Sequence, residues 1–153
     1  MMAVDFVVEE DDRTLLIEIK DPSDPGIPDA QRATVTTREI AKRSGKELIH
    51  DELVPKARHS YLYLHLMEQD AKPFLFVFLD DPSELHIDRA LLAPFKDRLL
   101  ARLLHEAKEP WKRKYIADCV VTDPTTWSAH FPGYPLRRLS SGPEPPTLPG
   151  PTS

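Results

Sequence analysis

The segment VDFVVEEDDRTLLIEIK, Val4 to Lys20, decides how this chain is read. It holds two β-rich runs, Val4–Val8 and Thr14–Lys20, separated by the polar turn Glu9–Arg13. That pattern predicts an antiparallel hairpin. Side chains alternate along a strand, so Thr14, Leu16, Glu18 and Lys20 share one face of the second run, and Leu15, Ile17 and Ile19 share the other. Burying a carboxylate and an ammonium at the end of such a strand is costly unless they are paired or bind something. In an antiparallel hairpin the start of the first strand, with Asp5, faces the end of the second. Asp5, Glu18 and Lys20 are therefore expected to converge.

The rest of the chain extends this hairpin into a sheet. DPSDPGIPD (21–29), with three prolines and a glycine, is a loop. Residues Ala30 to Arg43 have the length of a helix, weakened by the β-branched run Thr34–Thr37. Asp51–Gln69 predicts a stronger helix, with Leu53, Ala57, Tyr61 and Leu64 as its buried stripe and Leu62 and Leu66 widening it. KPFLFVFLDDP (72–82) is almost wholly apolar, as expected of a strand covered on both faces. A second long helix is expected over Asp88–Glu109, with Leu92, Phe95, Leu99 and Leu103 inward and Pro94 starting or kinking it. YIADCVVT (115–122) reads as a fourth strand and TTWSAHF (125–131) as a short helix or turn. A hairpin, a helix and a parallel return imply an α/β fold: one mixed sheet of about four strands flanked by helices.

Composition narrows the classes. The 153 residues are 41% apolar and 29% charged, ordinary for one globular domain. That domain is expected over residues 1–139, with 140–153 (SSGPEPPTLPGPTS) a disordered proline-rich tail. Pro143, Pro146 and Pro149 in it have the spacing of a polyproline recognition motif. The formal net charge of −5 gives no overall basic excess, so any contact with nucleic acid has to be local or assisted by metal ions. No apolar run is long enough for a membrane span, and MMAVDFVVEEDD lacks the layout of a secretion signal, so a cytoplasmic protein is expected. The single Cys119, in ADCVV, reads as a small buried hydrophobe. Five glycines form no phosphate loop, and the six histidines show no metal-ligand spacing, leaving His59 and His65 as surface or core residues of a helix.

Two carboxylates held close repel each other and favour a divalent cation between them. Mg²⁺ takes one or two carboxylates and keeps several waters. A lysine beside such a site supplies a point charge for a phosphate or an attacking water. Asp5, then a turn, then Glu18-Ile19-Lys20, then a long helix and an apolar strand resembles the PD-(D/E)xK nuclease superfamily. The resemblance spans Val4 to about Leu79. It implies Asp5 and Glu18 as metal ligands, the Ile19 carbonyl as a third, Lys20 as the catalytic lysine, Mg²⁺ or Mn²⁺ as cofactor, and hydrolysis of DNA phosphodiesters. The same tripeptide pattern recurs at Asp70–Lys72 and Glu106–Lys108, but only the Glu18 copy closes an apolar strand opposite an Asp. Val4 stands where the family name has proline, and the helix and strand that usually precede the Asp strand are missing. An uncovered sheet edge follows, and with it an expected homo-oligomer or partner subunit. The alternative is a catalytically inactive interaction or regulatory protein on the same fold, distinguished by its indifference to divalent ions.

Two basic segments lie outside this pattern. Lys56 and Arg58 open a helix and are read as solvated, with a phosphate contact as the second possibility. HEAKEPWKRKY (105–115) interleaves Lys108, Lys112, Arg113 and Lys114 with Trp111, which suits either a nucleic-acid strand or a charged helix end with Trp111 packed on the core.

Overall fold

The computed structural model describes residues 1–21, 28–81, 90, 92–106 and 108–137. The proline-rich tail, most of the DPSDPGIPD loop and the expected helix start at Asp88 lie outside the described residues. In chain order the elements are β1 (Phe6–Glu9), β2 (Thr14–Lys20), α1 (Asp29–Ser44), a π-helical segment (Leu48–Leu53) continuing into α2 (Val54–Leu66), β3 (Phe74–Asp80), α3 (Leu92–Leu104), the two-residue strands β4 (His105–Glu106) and β5 (Glu109–Pro110), β6 (Asp118–Thr122) and α4 (Trp127–His130).

The fold is α/β, a mixed four-stranded sheet in the order β1-β2-β3-β6 flanked by helices. β1 and β2 form the expected antiparallel hairpin, with Phe6 opposite Ile17. β2 and β3 run parallel, with Glu18 opposite Phe78 and Lys20 opposite Asp80, and β6 lies parallel on the far side of β3. One sheet face, with Leu16, Phe76 and Phe78, packs under the π-helical segment, α2 and α3. The other, with Leu15, Ile17, Leu75, Val77 and Leu79, packs against Trp127 and Phe131. Every residue of β3 is buried, because both of its faces and both of its edges are covered. Cys119 is fully buried on the first face, and burial pushes its thiol up to about 12, so it behaves as a core hydrophobe.

α1 forms despite its β-branched run. Thr37 Oγ1 donates to the Ala33 carbonyl at 3.0 Å, a bond that threonine makes inside a helix turn. Asp29 in the first turn and Lys42 and Arg43 in the last complement the helix dipole.

Several boundaries differ from the sequence expectation. The helix expected from Asp51 starts earlier: the wider π turn buries Leu48, Ile49 and Leu53 together. Leu62 and Leu66 do not widen the stripe. They are 48% and 71% exposed, because Ser60 takes the inward place, its Oγ accepting the buried Val4 N–H at 3.0 Å. α2 stops at Leu66 rather than Gln69: Glu68 sits at φ 56°, and the Glu68 and Gln69 amides return to the His65 and Leu64 carbonyls. That is the Schellman ending that glycine usually makes. The second long helix stops at Leu104, where β4 and β5 pair instead of continuing it. Phe95, Leu99 and Leu103 are buried as expected. Pro94 lies in the first turn of α3, where proline costs no helical hydrogen bond. His59 and His65 are ordinary helix residues: His59 Nδ1 accepts the Met2 amide at 3.0 Å, and His65 Nδ1 lies 2.6 Å from Asp70.

Candidate functional site

The end of β2 is where the sheet changes from core to chemistry. Leu15 and Leu16 are fully buried and Glu18 is 1% exposed, while Lys20 emerges between the sheet and the helices. Continuing the β1–β2 register by one residue sets Asp5 opposite Glu18. Asp5 Oδ2 accepts the Ile19 N–H at 2.8 Å, which fastens the entry of β1 onto the exit of β2. The Lys20 carbonyl accepts the Asp81 amide on the β3 side. Backbone groups alternate sides along a strand, so the Ile19 carbonyl points with its N–H towards Asp5. The hairpin thus sets Asp5 opposite Glu18, with Lys20 two residues further along the same face of β2.

The structure adds partners. Lys56, in the first turn of α2, donates to Glu18 Oε1 across 38 residues of chain. Glu52, on the π-helical segment, holds Lys20 Nζ at 2.6 Å and Lys42 Nζ at 2.9 Å. Arg43, at the end of α1, forks onto Asp80 with Nε–Oδ2 2.7 Å and Nη2–Oδ1 2.6 Å, and its Nη1 reaches Glu39 at 2.7 Å. Glu18, Glu52 and Asp80 are each engaged by a base from a different element, so α1, the π-helical segment and α2 are tied to the ends of β2 and β3.

Burial raises the Glu18 carboxyl above its ordinary range; the Lys56 hydrogen bond opposes this, Asp5 adds to it, and Lys56 and Lys20 lower it by charge. Burial pushes Glu52 the same way, but the hydrogen bonds from Lys20 and Lys42 outweigh it and hold Glu52 below its ordinary range. Glu18 Oε2 is buried and has no hydrogen-bond partner among the described residues. A buried carboxylate oxygen without a hydrogen-bonding protein partner is expensive.

Among the described residues no group of three or more His, Cys, Asp or Glu side chains converges as a ready ligand set. What the site offers is smaller: two carboxylates and a backbone carbonyl. That donor set suits a hard cation that keeps most of its water, and the orphaned Glu18 oxygen is the atom such an ion would satisfy.

Lys56 is not merely solvated; it is the direct partner of Glu18. Trp111 is not packed on the core: it is 37% exposed, edge-on to Tyr115 and under the Arg58 guanidinium at 5.4 Å. Glu52, Lys42, Arg43 and Asp80 are not among the site residues expected from the sequence. Only Asp80 carried a signal, as the acid ending the apolar strand beside Lys20. No described helix is long and apolar enough to cross a membrane. Comparison with protein-family models, curated proteins and solved structures finds no match.

Proposed function

We propose that this protein is a metal-dependent phosphodiesterase acting on DNA, with its site at Asp5, Glu18, Ile19 and Lys20. The observation that carries the reading is the buried Glu18 carboxylate, with one oxygen orphaned and Asp5 opposite it. Two acids at this strand end repel each other, and a cation is the partner that offsets both. Mg²⁺ or Mn²⁺ held by Asp5, Glu18 and the Ile19 carbonyl would stabilise charge on a phosphate oxygen and acidify a bound water. Asp5 stays positioned by its bond to the Ile19 amide. Lys20, held by Glu52, places a positive charge beside the phosphate, and Glu52 acts as its positioning residue. A second copy of the chain, paired along the outer edge of β1, is proposed as the structural partner.

A second reading has its own observation. Lys20 and Lys56 both engage carboxylates, as they would in a non-catalytic module where the ion pairs only tie helices to the sheet.

Plasmid and single-stranded DNA incubated with Mg²⁺ or Mn²⁺ separates the two. The nuclease reading expects strand cleavage that is lost in Glu18→Gln. No cleavage by the wild type, together with no binding of either ion, overturns it in favour of the module.

A further inference from the structure

The α2–α3 side of the molecule carries a second charged feature. A hollow of about 490 Å³ lies between the π-helical segment and α3, with Ile49 and Ala101 as its apolar lining. Its polar rim is Lys46, His50, Arg98, Arg102 and His105, and no carboxylate is among its described lining residues. Arg98 is set in place by long hydrogen bonds to the Gly45 and Arg43 carbonyls, at 3.4 and 3.3 Å. In a chain of net charge −5, a concave surface of one sign focuses field on an anion.

The rim residue His105 is tied through the backbone of β4 and β5 to the tryptophan of a second hollow. His105 pairs with Pro110 across β4 and β5, and the next residue, Trp111, donates its amide to the Leu104 carbonyl. Trp111 is one wall of a smaller hollow of about 230 Å³ shared with Arg58, Tyr61, Arg113 and Tyr115. Lys112, Arg113 and Lys114 are exposed around it. Cations that grip phosphates, next to a partly exposed tryptophan that carries the Arg58 guanidinium over its ring, match the two needs of an unpaired nucleic-acid strand: a track for the backbone and a ring on which a base can stack.

We propose that this face binds single-stranded nucleic acid, with phosphates against Lys46, Arg98 and Arg102 and a base stacked on Trp111. A duplex keeps its base faces covered and cannot use the platform. The surface does not depend on the Glu18 site being catalytic.

The test is fluorescence anisotropy of labelled single-stranded DNA, the same strand as RNA, and the matching duplex, all in EDTA. Removing divalent ions separates this result from the cleavage assay, so either reading can fail without the other. Both single strands should bind, and more tightly than the duplex. Trp111→Ala should weaken single-strand binding by roughly tenfold, and Trp111→Phe should restore most of it. Arg98→Glu and Lys46→Glu should weaken binding and flatten its salt dependence, with unchanged circular dichroism spectra. No single-strand binding at low salt overturns the proposal. So does duplex binding of equal strength that Trp111→Ala leaves unchanged.

Discussion

Glu18 and Lys56 join the exit of β2 to the first turn of α2, and the pair uses only one of the two Glu18 oxygens. Lys56 is 20% exposed in its side chain and can return to water, whereas Glu18 cannot. Removing the acid's charge therefore leaves a lysine that solvates itself. Glu18→Gln should leave the melting temperature of the metal-free protein unchanged or raise it, as substitutions in functional sites often do. Mg²⁺ should raise the melting temperature of the wild type and not that of Glu18→Gln. A thermal-shift titration reads both, and a flat wild-type response would remove the cation from the site.

Lys20 and Glu52 act as one unit at 2.6 Å. If Lys20 serves the transition state, Lys20→Ala should retain the Mg²⁺-dependent thermal shift while cleavage falls by roughly 10²-fold or more. Glu52→Gln should lower kcat less and leave Mg²⁺ affinity in place, because it loosens the lysine without removing it. Single-turnover cleavage alongside the thermal-shift series makes the comparison. Loss of Mg²⁺ binding in Lys20→Ala would contradict this division of roles.

The two acids should leave opposite marks on stability against pH. Glu18 titrates above its ordinary 4.5 in the folded chain, so its contribution is fully present below 4.5 and is lost as pH rises through the folded value. Glu52 titrates below 4.5, so its contribution is present above 4.5 and is lost as pH falls through its folded value. Glu18→Gln should gain on the wild type as pH rises above 4.5. Glu52→Gln should lose the excess acid sensitivity below 4.5. Melting temperatures across the acid range measure both, and parallel curves for all three proteins would refute the assignment.

The hairpin was legible because period-two alternation survives in a short strand: Leu15 and Ile17 face one layer, Leu16 and Glu18 the other. The parallel return of β3 was legible because a strand buried on both faces is continuously apolar. The ion pairs were not. Lys56, Glu52 and Arg43 sit on helix surfaces where charges are the default, and only three-dimensional packing shows which ones turn inward. Leu62 and Leu66 misled for the same reason. Apolar periodicity alone does not reveal that Ser60 takes the inward position by accepting a backbone amide. The π turn at Leu48–Leu53, which carries Glu52 to Lys20, has no pattern of its own to read.

Arg43 and Asp80 are a different kind of pair. Their side chains are 8% and 4% exposed, and the contact is bidentate. Removing Asp80 leaves the buried Arg43 with Glu39 as its remaining acid, at Nη1 only. Asp80→Ala should therefore cost about 2–3 kcal/mol in chemical denaturation, less than the loss of an isolated buried pair. The double change Arg43→Met with Asp80→Leu should recover much of that, since an apolar pair of similar volume carries no desolvation penalty. A double variant no more stable than Asp80→Ala would show that the pair holds α1 by geometry rather than by neutralising charge.

Among the described residues β1 pairs only with β2, so its other edge presents open backbone groups. Phe6 and Val7 on that strand are 56% and 49% exposed, and β1 carries no lysine or proline to discourage pairing. Leu62 and Leu66 add apolar surface on the outer side of α2. An open edge and apolar side chains together favour a second copy of the same strand, which satisfies the backbone groups and covers Phe6 in one step. Sedimentation at increasing concentration should show a dimer. Val7→Lys should shift it towards monomer with little change in melting temperature at low concentration, because the new charge meets water in the monomer and its own image in the dimer. A wild type that stays monomeric at high concentration would place the contact elsewhere.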